Sequence, residues 1–165
     1  MKIGVISDTH IPEYARRLPD AVFEIFRDCD LILHAGDAVE FGVIEELETL
    51  APVKAVCGNM DRFRSQGLLP DKRIVNAGGC RIGLTHGWGA PAGIEDHVLR
   101  QFQGEEIHAV VFGHTHRALN EPRGGVLLFN PGSACGHVSG GFHSVGLLTA
   151  HGGAVSGQII RLPEP

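Results

Sequence analysis

Five short polar blocks interrupt the chain, each where an apolar run stops. Asp8-Thr9-His10 sets a carboxylate and an imidazole two residues apart, close enough in an extended turn to reach one cation. His34-Ala35-Gly36-Asp37 brings a second carboxylate, and Gly58-Asn59-Met60-Asp61 an amide oxygen. Thr85-His86-Gly87 supplies one imidazole, and Gly113-His114-Thr115-His116 two more. A lone histidine at the end of a strand is usually a hydrogen-bonded turn residue, so no single block says much. Together they offer two aspartates, four histidines and an asparagine, an oxygen-and-nitrogen set without thiolates. That donor set suits Mn²⁺, Fe²⁺, Zn²⁺, Ni²⁺ or Co²⁺ better than Ca²⁺ or a structural zinc site. Cations held this way can activate water for hydrolysis.

For the blocks to meet, the fold must bring several strand ends to one side. Residues 2–7 form a short apolar run that reads as a buried strand. The pattern then predicts a helix over 19–27, a strand within 31–37, a helix over 40–50 stopped by Pro52, and a strand over 53–57. Such alternation implies parallel pairing with right-handed crossovers, and ligands of these sheets bind at the carboxyl ends of the strands. The second half predicts a hairpin of 72–77 and 80–85 around Gly78-Gly79, a helix over 94–103, and strands over 108–112, 126–129 and 144–149. Gly140-Gly141 and His151-Gly152-Gly153 mark exposed turns, and the closing RLPEP is expected to be loose. The two halves read as facing sheets of a single domain spanning 1–165.

The composition narrows the function classes. Hydrophobic residues make up 43% and charged residues 20%, which fits a globular chain with a sizeable core. A net charge of -5 gives no general attraction to nucleic acid or an anionic membrane, although Arg62, Arg64 and Arg117 could still gather around one phosphate. Cys29, Cys57, Cys80 and Cys135 lie far apart, without a C-x-x-C pair, and read as free, buried thiols of a reducing compartment. With no signal peptide and no apolar run long enough for a membrane span, a cytoplasmic protein is expected.

The five blocks resemble the calcineurin-like metallophosphoesterase superfamily, whose pattern runs D-x-H, G-D, G-N-H-[DE], H and G-H-x-H. More closely, SDTH, HAGD, GN-x-D, THG, GHTH and the late NPGS at 130–133 resemble its small YfcE-type phosphodiesterases. The resemblance implies an α/β fold, a four-layer αββα sandwich of two mixed β-sheets flanked by helices. It implies two divalent metal ions, with Mn²⁺ the first expectation. One would be held by Asp8, His10 and His116, the other by Asn59, His86 and His114, and Asp37 would bridge them. A hydroxide between the two cations would attack phosphorus without a covalent enzyme intermediate, giving Asp37, Asn59 and His86 catalytic roles. The implied substrate is a small phosphodiester, and a homo-oligomer is left open.

Two departures stand out. Met60 occupies the place of a histidine that often helps the leaving oxygen, and methionine cannot donate a proton. Without general-acid help, typically worth ~10²–10⁴ in rate, activated aryl diesters should react better than alkyl monoesters. Gly136-His137-Val138 stands where relatives often carry Pro-Arg, so contacts of that loop with substrate stay open.

Other groups divide between site and surface. Arg62 and Arg117 directly follow metal blocks and could clasp a phosphate, or be solvated surface residues. Asp61 either orients a ligand loop or forms a surface ion pair. His34 is either a partner of the ligands or a satisfied core histidine. His97, His108, His137, His143 and His151 have no block to support them, and Ser7 and Ser133 lack the elbow of a serine nucleophile. Two other functions remain: a non-catalytic protein-binding scaffold, as in the retromer subunit of this fold, and a phosphomonoesterase.

Overall fold

A computed structural model describes residues 1–136 and 141–163, without the side chain of Ser65. The expectations on Gly140, on His137 and Val138, and on Glu164 and Pro165 therefore lie outside the described residues.

The first half alternates as its pattern predicts. β1 (Lys2–Ile6), α1 (Asp20–Phe26), β2 (Leu31–His34), α2 (Gly42–Glu48) and β3 (Val53–Ala55) follow one another, with β1 parallel to β2 and β2 parallel to β3. The period of two sorts their side chains. Ile3, Val5, Leu31 and Leu33 enter one apolar layer, while Ile6 and Ile32 enter another beneath the helices. Each helix buries residues one turn apart: Val22 and Phe26 in α1, and Val43 and Leu47 in α2. Both pack in the layer that contains Ile6 and Ile32.

The second half supplies β4 (Lys72–Ala77), β5 (Cys80–Thr85), α3 (Ile94–Arg100), β6 (Ala109–Val111), β7 (Leu119–Arg123), β8 (Val126–Asn130), β9 (Ser144–His151) and β10 (Ala154–Arg161). One sheet runs β10-β9-β1-β2-β3, and the other β4-β5-β6-β8-β7. Both mix parallel and antiparallel pairs. Ile82, Leu84, Val111 and Phe129 of the second sheet share a core with Ile3, Val5 and Leu148 of the first. Ile94 and Val98 of α3 cover the other face with Phe112 and Leu128. The result is helix, sheet, sheet, helix, the expected four layers.

The structure corrects several sequence boundaries. The helices stop at Phe26, Glu48 and Arg100, short of the expected 27, 50 and 103; beyond the last two, turns suffice to half-bury Leu50 and bury Phe102. β7 and β10 were not expected. β7 is an edge strand containing Pro122, where a missing N–H is tolerated. β10 is an edge strand of mixed polarity, pairing with all of β9. The start of the tail is not loose, since Arg161 closes β10, Leu162 is buried, and the Leu162 N–H donates to His143 O (2.8 Å). Among the described residues, no helix is long and apolar enough to cross a membrane.

Candidate metal centre

The parallel pairing of β1, β2 and β3 aligns the ends that carry the first three blocks, and beyond the strands the loops stay joined. Asp8 N–H donates to Gly36 O (3.0 Å), His10 N–H to Asp37 O (3.0 Å) and Ile11 N–H to Ala38 O (3.2 Å). Gly113 N–H, just past β6, donates to His86 O (3.1 Å), which ties the last two blocks together.

The turns themselves are not extended, as the sequence reading pictured them. Asp8 (φ 52°), His10 (47°), Asp37 (55°), His114 (69°) and His116 (55°) are all left-handed. Outside glycine this conformation costs about 1–2 kcal/mol per residue, so surrounding contacts must enforce it. Alternate residues of one tight turn are thereby turned onto the same cluster.

The side chains meet in two groups. Ligand-type atoms of Asp8, His10 and His116 lie within 4.8 Å of one another, as do those of Asp8, Asp37 and His86. His116 Nε2 is 3.2 Å from Asp8 Oδ1, and His10 Nε2 is 3.2 Å from His116 Nε2. Asp37 Oδ2 lies 3.2 Å from His86 Nε2 and 3.7 Å from His10 Nε2, so it reaches both groups. Asp8 also belongs to both, a place that the resemblance gave to Asp37 alone. Asn59 and His114 stand at the rim. Asn59 is exposed and lines a cavity beside His86. The His114 ring packs edge-on to His86 (5.3 Å), and its Nε2 bonds Gly89 O (2.8 Å).

Two observations test the fit of these residues to metal ions. The buried nitrogens His10 Nδ1 and His86 Nε2 have no hydrogen-bond partner, although an orphaned buried polar atom is unfavourable. His86 Nε2 is near Asp37 but lacks hydrogen-bond geometry to it. Its Nδ1 is 2.7 Å from Ala35 O, which keeps a proton on Nδ1 and makes Nε2 the nitrogen that would give up its proton to a cation in the cluster. The residues fit.

Electrostatics agree with a cation-seeking cluster. Burial alone would lower the His86 pKa, but Asp37, Asp8 and the Ala35 carbonyl outweigh it and raise it to about 9. Burial opposes the Asp37 charge, yet His86, the Met60 N–H (2.7 Å) and His10 hold its pKa below the usual value. His10 goes the other way, lowered by burial despite Asp37 and Asp8. His34 is pushed down to about 4 by burial and is neutral.

Around the cluster runs a set of polar clamps. Asp61 is 5% exposed and accepts N–H bonds from Val39 and Gly58, both 2.7 Å. It thus ties the Asp37 loop to the Asn59 loop, which decides between the two sequence readings of Asp61. His34 accepts the Gly36 N–H (3.2 Å) and lies 3.4 Å from Thr9 Oγ1, so this core histidine also holds ligand loops. The NPGS segment acts on Asp8. Ser133 Oγ donates to Asp8 O (2.7 Å), and Ser7 Oγ lies 2.7 Å from Asp8 Oδ2 and 2.8 Å from Gly132 O. Asn130 Nδ2 donates to Gly113 O (2.8 Å). Sequence reading left Asn130 without a role, although the polar NPGS after an apolar strand was a signal.

Two glycines leave room for this packing. A Cβ on Gly36 (φ 93°) would lie 2.7 Å from His86 Nδ1, and one on Gly58 would overlap the Asp37 carboxylate and backbone. The arginines separate. Arg62 is ion-paired with Glu40 (2.6 Å) and Glu13 (3.4 Å), and Arg117 is exposed beside a small cavity with Glu95 and Thr115. Arg64 instead lines the cavity next to His86 and Asn59.

Comparison with known proteins adds to this geometry. Residues 1–153 match the calcineurin-like phosphoesterase superfamily domain. The chain is 46% identical over 136 residues to a probable metallophosphoesterase of Methanothermobacter thermautotrophicus, covering 81% of this chain and 77% of that one. It is 31% identical over 163 residues to a phosphodiesterase of Methanocaldococcus jannaschii, covering 90% and 92%. Its fold is similar to that of vacuolar protein sorting 29 from Cryptosporidium parvum, with a TM-score of 0.81, 26% identity, and 99% and 92% covered.

Proposed function

The chain belongs to the calcineurin-like phosphoesterase superfamily, and from that premise we propose that it is a metal-dependent phosphodiesterase. The observation that carries this reading is the buried cluster of Asp8, His10, His116, Asp37 and His86, with two ring nitrogens lacking partners. In this assignment Asp8, His10 and His116 hold one divalent cation, Asn59, His86 and His114 hold the other, and Asp37 serves both. Bound cations would supply Lewis-acid polarisation of the phosphoryl group and a water of lowered pKa, and Mn²⁺ is the ion we favour.

The chain's own residues set the conditions. Ser7 and the His114 N–H (3.1 and 3.2 Å to the two oxygens) hold the Asp8 carboxylate in place. Ala35 O fixes the His86 ring, and the Met60 N–H fixes Asp37. Both serine hydroxyls near the cluster are buried and engaged with Asp8 or Gly132, so neither is placed to form a covalent intermediate. Met60, 45% exposed, has no proton for a leaving group. This supports diesters with good leaving groups over alkyl monoesters, and the relative named as a phosphodiesterase supports the diester class. A cytoplasmic location belongs to the proposal.

Similarity to vacuolar protein sorting 29 favours a second reading, a protein-binding scaffold without turnover. Metal-stripped protein assayed on bis-p-nitrophenyl phosphate and p-nitrophenyl phosphate, with Mn²⁺, Ni²⁺, Mg²⁺ or Zn²⁺ restored, separates the two. The phosphodiesterase reading expects metal-restored cleavage that favours the diester and is lost in His86→Ala. A folded protein inactive with every ion would leave the scaffold.

A further inference from the structure

A cavity of about 360 Å³ opens beside His86 and Asn59, at the lower end of the ~300–1,000 Å³ usual for small-molecule sites. Beyond those two residues, much of its wall comes from positions that the metal site does not use. Arg64 lies in a short helical turn over 64–66, Asp71 precedes β4, Thr85 ends β5, and Gln101 follows α3. Trp88, the chain's single tryptophan, stands at this cavity with 65% of its surface exposed. Its indole offers a broad aromatic surface at the cavity, with an N–H at its edge.

The lining selects among occupants. Arg64 donates to Gly58 O (3.1 Å) and is ion-paired with Asp71 (2.7 Å), so its charge is matched and a second phosphate is poorly served. An all-apolar group is also a poor fit, because Asn59, Asp71, Thr85 and Gln101 line the walls. Thr85 Oγ1 donates to Gln101 Oε1 (2.8 Å), which fixes the carboxamide without using its NH₂. The indole is braced edge-on by His97 (4.4 Å, 79°), and its loop is held where Gly89 O bonds His114. A stacking surface, fixed polar groups on the walls and no net charge describe recognition of a planar, polar, uncharged ring.

We propose that this cavity binds the nucleobase of a nucleoside phosphodiester, stacking it on Trp88 and hydrogen-bonding it through Gln101. The inference rests on the phosphodiesterase reading for its substrate class but is testable apart from it. Base–aromatic stacking is worth about tenfold or more in affinity, and one neutral hydrogen bond about two- to tenfold.

Two measurements on the metal-loaded protein test it. Titration with thymidine 5′-monophosphate should change Trp88 fluorescence, with ribose 5-phosphate giving no such change at equal concentration, and Gln101→Ala should weaken the response about two- to tenfold. In turnover, thymidine 5′-p-nitrophenyl phosphate should exceed ethyl p-nitrophenyl phosphate in kcat/KM by about tenfold or more, and Trp88→Ala should collapse that ratio toward one. The leaving group is common to both esters, so the ratio reports only the other substituent. A fluorescence response to the nucleotide without cleavage of any diester would keep the cavity assignment and remove the phosphodiesterase reading. Cleavage of both esters at equal efficiency, with no nucleotide-specific fluorescence change, would overturn the cavity assignment and leave that reading in place.

Discussion

Asp61→Asn is the most informative perturbation of the fold around the site. The Asp61 carboxylate is buried and accepts the backbone N–H groups of Val39 and Gly58 at 2.7 Å each. Those amides lie in the loops that carry Asp37 and Asn59. A hydrogen bond to a charged acceptor contributes about 1.5–3 kcal/mol, so Asp61→Ala, which orphans both amides, removes ~3–6 kcal/mol. That approaches the whole stability of a domain, about 5–15 kcal/mol, and the alanine variant is expected to fold poorly. Asparagine preserves shape and one acceptor but turns an NH₂ toward the second amide, for a loss of ~2–3 kcal/mol. Denaturant unfolding of the metal-stripped proteins at neutral pH measures this directly, and metal affinity should fall ~10–100-fold with the loosened loops. A surface ion pair would be screened in ~1 M salt, so the difference between wild type and variant should persist there. If Asp61→Asn matches the wild type within ~0.5 kcal/mol, or the difference vanishes in salt, the clamp is not what Asp61 does.

Three further expectations follow from the same geometry. In metal-free protein His86, with its pKa raised from 6.5 to about 9, loses its stabilising contribution as pH rises through that window, while His34, lowered to about 4, loses its own as pH falls from 6.5. Thermal stability should therefore peak near pH 6.5, and an alkaline limb that survives unflattened in His86→Gln would contradict the assignment. Gly58→Ala should abolish metal-restored turnover and lower the melting temperature, because the new Cβ overlaps Asp37; a variant with wild-type metal affinity would show that the loop yields freely. All four cysteines are buried, with burial pushing the thiols of Cys57 and Cys135 up to about 11 and about 12, so Ellman's reagent should react slowly with native protein and with four thiols after unfolding.

Legibility from sequence followed burial. β1, β2 and the apolar faces of α1 and α2 could be read because fully buried elements leave continuous or periodic apolar patterns. β7 and β10 left no such pattern, since both are sheet edges exposing much of their surface. Their signal lay in the turns. Gly124-Gly125 and Gly152-Gly153 have positive φ, like Gly78-Gly79, whose dipeptide did predict a hairpin. At the site, the block order carried the ligand candidates, but spacing could not convey the left-handed turns at Asp8 and His10. Nor could it separate Arg62, spent on Glu40 and Glu13, from Arg64 two positions on, which faces the cavity. That difference depends on what lies opposite in space.

The clamps and the strain are two sides of one requirement. Five of the candidate ligands adopt a conformation costing about 1–2 kcal/mol each, together comparable to the net stability of a domain. No single block could hold such turns alone, and none does. Asp61 binds the Asp37 loop to the Asn59 loop, Ser133 reaches from the NPGS segment to Asp8, and Asn130 fixes Gly113 ahead of His114. Apart from the Gly58–Asp61 bond, each joins segments far apart in the chain, so the cluster assembles as a unit once both sheets are in place. A donor set held this way keeps like-charged and orphaned groups together before any cation arrives, which shifts the work of organising the site from metal binding to folding.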